Sequence, residues 1–288
     1  MAYNGYAKKS LNLSGCIAAA IVGFVSLAAS YRFGVILILF YYSSSKLTKY
    51  GSKIKSKIEE NHVGEGNRNA IQVFTNSLLA TLVAIYFVYS CGEDRNVDFS
   101  STLRNDDIVL NLYGFNISRR RLASLLWSVY IAHYATSTGD TWASELGVLS
   151  KQKPRLVTSF FLQEVPPGTN GGMSLLGTLA SVLGGGFIGI IFWVMSWCDS
   201  SQFPMVFVGI LCGLIGSLID SLLGATIQAS YYCEDSKKIV RRRKDSTVLV
   251  AGYDFVSNEA VNFISIFITM VISLWLAPFI FCFINSQC

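Results

Sequence analysis

An all-α, polytopic integral-membrane helical bundle of about seven spans is the fold class that three observations predict. Hydrophobic residues make up 52% of the chain and charged residues 14%, with mean hydropathy +0.45, against roughly 25% charged residues in soluble domains. Apolar runs of near-bilayer length recur along the whole sequence. Lys and Arg collect in alternate connecting loops, the bias that orients membrane helices.

The first run, about 11–31, follows Lys8 and Lys9 and ends in the small residues Leu27-Ala28-Ala29-Ser30. That pattern is also found at signal peptides, but a second apolar segment follows at once, which favours a retained helix. The second run, about 33–45, is short and reads as a re-entrant or mismatched segment. Runs at about 70–91, 120–138, 173–197, 203–231 and 260–283 complete the set, most of them near the ~20 residues that cross a hydrocarbon core. The longest linkers, 92–119, 139–172 and 232–259, leave no room for a soluble domain, so 1–288 reads as one transmembrane domain.

Most of the 23 Lys and Arg fall on one side: Lys8 and Lys9, the run from Lys46 to Arg68, Lys151 to Arg155, and Lys237 to Lys244. Arg32, Arg95, Arg104 and Arg119-Arg120-Arg121 lie on the other, among the acids Glu93, Asp94, Asp98, Asp106 and Asp107. The amino terminus is therefore expected in the cytosol and the carboxyl terminus in the lumen or outside. The net charge of +5 fits anionic lipid head groups. It does not suggest nucleic acid, because the basic loops lack interleaved aromatics. Seven cysteines include no C-x-x-C pair, which argues against zinc, and Cys91 and Cys198 are read as free thiols rather than a pair. The sequon Asn116-Ile117-Ser118 abuts the fourth span and is expected to stay unmodified. The endoplasmic reticulum or another endomembrane is the expected location, ahead of the plasma membrane. Oligomeric state is not legible.

Polar residues inside the apolar runs mark the candidate site, since an ionisable side chain at membrane depth is costly unless it faces protein, water or a metal. Asp220 lies within the run 203–232, and Ser217, Asp220, Ser221, Gly224 and Gln228 recur at spacings of three and four, on one side of a helix. Other polar patches fall at the same expected cytosolic face. Ser43 to Lys49, with Lys46, ends the second span. Arg68 precedes the third, where Asn69, Gln72 and Asn76 form a helical stripe. Lys49, Lys53, Lys55 and Lys57 read equally well as snorkelling interfacial residues.

The patch from Thr136 to Gly172 contains Asp140 and Glu145, hard oxygen ligands of the type Mg²⁺ takes together with waters and substrate phosphates. Either acid alone is more often a cap or loop carboxylate. Pro166-Pro167-Gly168-Thr169-Asn170-Gly171-Gly172 must turn before a helix near Met173, and amides at such a place can cradle phosphate, although many Gly-rich turns bind nothing. Asn258, Glu259, Asn262 and Ser265 open the seventh span. Carboxylates, amides and cations around one cavity are the inventory of phosphoryl transfer. No Walker loop or protein-kinase signature occurs, so any nucleotide would be held differently. His133 reads as a packed or hydrogen-bonded residue and His62 as solvated.

Ser43 to Lys49, Arg68 to Val73, Gly139 to Gly147, Pro154 to Thr158, Val165 to Gly172 and Gly216 to Gln228, in this order, resemble the motifs of the transmembrane protein 19 family, also called domain of unknown function 92. The resemblance runs from about residue 8 to 275. Some relatives carry a further apolar segment before the first span, which would make this chain a short form. A plastid member of the family is regarded as a phytyl-phosphate kinase. The resemblance thus implies that a long-chain isoprenyl monophosphate receives a phosphate from CTP or ATP with Mg²⁺. On that reading Asp140, Glu145 and Asp220, assisted by Glu259, hold Mg²⁺ and phosphate. Arg68, Arg155 and Lys46 neutralise the transferring group, and Gly168, Gly171 and Gly172 give backbone amides. Lys49, Asn69, Gln72, Thr169, Asn170, Gln228, Asn258 and Asn262 contact phosphate. Where relatives often carry Asp-Asn-Asn or Asp-Asn-Asp, this chain has Ser257-Asn258-Glu259, so metal binding there falls to Glu259. Two other readings stay open: a transporter or flippase with Asp220 in its path, and a non-catalytic membrane scaffold.

Overall fold

The computed structural model describes residues 10–58, 68–100, 109–112, 115–160, 162–240, 243 and 245–285. His62, the stretch 64–67, Arg104, Arg241, Arg242 and Lys244, all weighed in the sequence, lie outside the described residues. The chain is an all-α membrane bundle with small sheets at its ends. Helix α1 (Leu13–Ala29) is capped by Asn12, whose side chain accepts from the Gly15 N–H at 2.8 Å. Ser30 ends it and caps α2 (Tyr31–Lys49) by accepting from the Arg32 N–H.

The second helix is longer than the expected segment 33–45: α2 has 19 residues, or about 28 Å of helix. The polar Ser43–Lys49 stretch continues the helix because its hydroxyls bond back to preceding carbonyls, Ser43 to Phe40 O at 3.1 Å and Thr48 to Ser44 O at 3.0 Å. After the short α3 (Ser52–Ile58), the third span is broken into α4 (Ala70–Thr75) and α5 (Leu78–Cys91). At the break Asn76 Nδ2 donates to Gln72 O, Ser77 Oγ donates to Val73 O, and the Asn76 carbonyl is taken by His133 Nε2 at 3.0 Å. An interrupted helix at membrane depth persists where protein groups satisfy the freed backbone.

Helix α6 (Arg119–Gly147) runs nine residues beyond the expected end at 138. Ser137 and Thr141 hydroxyls again bond back to carbonyls four residues earlier, and Gly139 does not stop the helix. A Cβ at Gly139 would stand 2.9 Å from Gly213 Cα and 3.0 Å from Ser181 O, so this is where α6 crosses α7 (Leu175–Met195) and α8 (Pro204–Ile227). Gly185 and Gly213 make the matching approach between α7 and α8, as small-xxx-small spacing leads one to expect. Helix α9 (Asn258–Asn285) completes the bundle. By length and composition, the stretches 175–195, 200–227 and 258–285 each suffice to cross a membrane, while α1 and α5 are shorter apolar helices.

Short sheets occupy the connections. Strands β1 (Val109–Leu112) and β2 (Phe115–Ser118) form a hairpin, and Ser118 then caps α6 by accepting from the Arg121 N–H. Strands β3 (Arg155–Leu156) and β4 (Gly172–Met173) pair antiparallel. The linker after α8 carries an antiparallel sheet in the order β6 (Lys238–Val240), β5 (Ser230–Cys233), β7 (Thr247–Ala251). Its short strands were not expected from the sequence. Cys91 and Cys198 are free thiols.

The two ends of the bundle differ. At one, the ends of α2, α6 and α8 and the starts of α4, α7 and α9 surround a polar cavity. At the other, Arg32 is buried over the Trp127 and Phe192 rings, donating to Asp94, Ser196 Oγ and Arg95 O. Nearby, Asp98 accepts from Arg120 Nη1 at 2.8 Å and from the Ser100 N–H. Its partial burial acts to raise the carboxyl pKa, but the Ser100 and Arg120 contacts outweigh it and hold the value below the ordinary one. A lowered folded-state pKa adds stability that is present above the unfolded value, about 3.9, and is lost as pH falls through the folded one. Thermal melts in detergent should therefore show Asp98→Asn less stable than wild type at pH 7, with a smaller further loss on acidification below about pH 4.

Candidate functional site

The polar stripe foreseen on α8 faces a cavity of about 310 Å³, the size of a small-molecule site. Asp220 accepts from Ser265 Oγ of α9 at 3.1 Å. With the Asn262 amide turned so that its nitrogen faces the carboxylate, Asn262 donates to Asp220 Oδ2 at 3.1 Å and to Asn258 O at 3.1 Å. Gln228 Nε2 donates to Asn258 Oδ1 at 3.3 Å, which ties the end of α8 to the start of α9. Ser257 caps α9, its Oγ accepting from the Ala260 N–H, and leaves Glu259 on the cavity wall.

Because α6 extends through the polar patch, Asp140, Thr141, Ser144 and Glu145 enter from a rigid helix rather than a loop. Asp140 and Asp220 line the same cavity from two different helices. The structure thus brings Arg68, Gln72, Asp140, Glu145, Gly168 to Gly172, Asp220, Gln228, Asn258, Glu259 and Asn262 around one cavity.

Several expected roles are replaced by structural ones. Lys46, Lys49, Asn69 and Arg155 do not line the cavity. Asn69 is the cap of α4, in a reciprocal box with Gln72 in which each side chain accepts from the other's N–H. Arg155 sits on β3 with its guanidinium half exposed and 3.9 Å from Glu164. Glu145 is not open to a metal in the expected way, since it pairs with the buried Lys55 ammonium, which also donates to Leu47 O at 2.9 Å. In the Gly-rich turn, the amides of Thr169, Asn170 and Gly172 already donate, to Pro166 O, Ser230 Oγ and Thr169 O. Gly171 is needed for packing: its φ is +74°, and a Cβ there would come within 2.6 Å of Ser221 O. The turn is a seal against α8 more than an anion cradle.

Lys55 was not singled out by the sequence. Lys53, Lys55 and Lys57 alternate along a short helix, and nothing in that spacing tells which one is buried. Thr48, Thr141, Ser144, Ser174 and Ser230 are further cavity residues without a sequence signal of their own.

Among the described residues four carboxylates and two cations, Lys55 and Arg68, line the cavity. With Lys55 paired to Glu145, an added cation beside Arg68 would favour a phosphate entering next to Asp140, Asp220 and Glu259. Among the described residues no three His, Cys, Asp or Glu come together as a metal-binding group. The donor set does not fit a protein-only metal centre. It does fit Mg²⁺, which takes one or two carboxylates and completes its shell with water and substrate phosphate; Asp140 and Asp220 are the residues that would hold it.

The family model described as "Integral membrane protein DUF92" matches residues 1–270. This chain belongs to that family. Among DUF92-related proteins, "Protein PGR" of Arabidopsis thaliana is 36% identical across 98% of this chain and 94% of its own length. An "Uncharacterized membrane protein" of Methanocaldococcus jannaschii is 30% identical across 77% of each. "Protein VTE6, chloroplastic" of Arabidopsis thaliana is 24% identical across 94% of this chain and 66% of its own length. No solved structure matches the chain. It is a multi-pass integral membrane protein.

The Lys55–Glu145 pair yields a stability test. Removing one partner of a buried pair strands the other charge, at about 3 kcal/mol. In a double-mutant cycle, Lys55→Met and Glu145→Gln should each lower the melting temperature, and the double variant should lose less than the sum of the two.

Proposed function

We propose that this protein is a membrane kinase that transfers the γ-phosphoryl group of CTP or ATP to a long-chain isoprenyl monophosphate. The observation that carries the reading is the meeting of Asp140 on α6 and Asp220 on α8 in one cavity that also holds Arg68. The family resemblance, which includes a plastid phytyl-phosphate kinase, supports it. The basic loops at this end favour a cavity open to the cytosol, where the nucleotide is found. An endomembrane is the location that suits such a substrate.

An oxygen of the isoprenyl monophosphate attacks the γ-phosphorus, the bond to the β–γ bridging oxygen breaks, and an isoprenyl diphosphate and a nucleoside diphosphate leave. A phosphate monoester has its second pKa near 6, so the nucleophile is already ionised at neutral pH and no strong base is needed. This fits a site rich in acids and amides in which the one histidine among the described residues, His133, is buried and bonded to Asn76 O. Asp140 and Asp220 would hold Mg²⁺, which would supply positive charge to the phosphate oxygens. Asp140 and Asp220 position that charge, with Asp220 itself fixed by Ser265 and Asn262. Arg68 offsets charge on the acceptor phosphate. Glu259, Asn258 and Gln228 line the same cavity.

In nanodiscs supplied with Mg²⁺, nucleotide and phytyl monophosphate, Asp140→Asn and Asp220→Asn should each lower turnover by ~100-fold or more, the scale of losing one group that stabilises transition-state charge, with melting temperature unchanged. Wild-type rates in both variants would remove the two aspartates from the reaction.

A further inference from the structure

A second cavity, of about 290 Å³ and opposite character, adjoins the polar one. Helices α1 and α2 form its walls, with Phe24 and Leu27 facing Leu37, Ile38 and Phe40 across apolar space. At its inner end stand Arg68, Gln72 and Asn76, and the same three residues line the polar cavity. The break between α4 and α5 is therefore the shared wall between a greasy groove and a charged chamber.

The groove exists because α1 is kept thin along it. Ala19, Ala20 and Gly23 line its floor, and a Cβ placed on Gly23 would meet nothing within 4 Å. Gly23 is thus not a crossing point of helices, in contrast to Gly139 or Gly185. Phe24 and Leu27 are exposed on the lipid-facing side, 75% and 47%, so the groove opens sideways toward the bilayer.

We propose that this groove seats the isoprenyl chain of the substrate, with the phosphate passing Arg68 into the polar cavity. The inference rests on the reading of the site as an isoprenyl-phosphate kinase, and adds where the chain lies and which residues limit it. An amphiphile with an anionic head and an apolar tail matches the arrangement part for part: cation at the junction, carbon walls beyond it, lipid at the open side. The small residues of the floor leave lateral room that suits a methyl-branched chain over a straight one.

The test uses the full-length protein in nanodiscs and an isoprenyl monophosphate carrying a photoactivatable diazirine near the end of its tail, with cross-linked residues mapped by mass spectrometry. Label should concentrate on the α1 and α2 wall residues. Gly23→Leu and, from the opposite wall, Ile38→Trp should each cut that label by at least ~10-fold with unchanged melting temperature, since Leu and Trp only occupy space that the burial of an apolar tail would otherwise fill. A straight-chain alkyl phosphate of equal length should label the groove less. Label scattered over exposed apolar residues of other helices such as Leu183 and Trp275, label undiminished in both variants, or stronger labelling by the straight chain would overturn the proposal. Groove label without any diphosphate product would sink the kinase reading and leave the groove assignment standing. Normal diphosphate formation by both variants without groove label would do the reverse.

Discussion

The backbone contact between α6, α7 and α8 at glycine is the constraint on which the rest of the molecule depends. Gly139 meets Gly213 and the Ser181 carbonyl, and Gly185 meets Gly213, so no side chain separates the three helices. Lipid offers apolar groups no reason to leave it, and close packing with polar contacts must therefore hold such helices together. The contact also fixes relative register. Asp140 follows Gly139 directly and Asp220 lies two turns beyond Gly213, so the crossing decides that both carboxylates reach one cavity. Any side chain at these glycines would separate the acids along with the helices.

Around that crossing, polar groups are divided between holding the site and forming it. Lys55 is spent on Glu145, Asn69 on capping α4, and most amides of the Gly-rich turn on bonds within the protein. These bonds make the walls rigid, and a preorganised wall costs no rearrangement during reaction. Asp140, Asp220 and Glu259 then line a chamber in which a bound cation, beside Arg68, would favour the entry of phosphate. At the far end the buried Arg32, clasped by Asp94 and two aromatic rings, closes the bundle.

What was legible in the sequence followed from periodicity. The stripe from Ser217 to Gln228 needed only helical spacing, and the gathering of polar patches at one end needed only an alternating count of spans. The true length of α6 was hidden because Ser, Thr and Gly suggest a loop, whereas here Ser137 and Thr141 return their hydroxyls to the helix and Gly139 serves a crossing. The surroundings of Lys55 and Arg155 were hidden for a related reason. A basic residue near a membrane reads as solvated or as phosphate-binding according to its neighbours in sequence. Its real partner, Glu145 for Lys55 and Glu164 for Arg155, is set by tertiary contact. The sheet spanning 230–251 was invisible because its short strands sit among turns and charges.

The account stands on the claim that phosphate is transferred in the chamber between α6, α8 and α9. Its most direct measurement is transfer of label from a γ-³²P nucleotide to phytyl monophosphate by the purified wild-type protein in nanodiscs with Mg²⁺, with CTP and ATP in parallel. The account predicts a labelled phytyl diphosphate with one donor, formed only when Mg²⁺ is present. No labelled lipid with either donor, from protein shown to be folded, would contradict it.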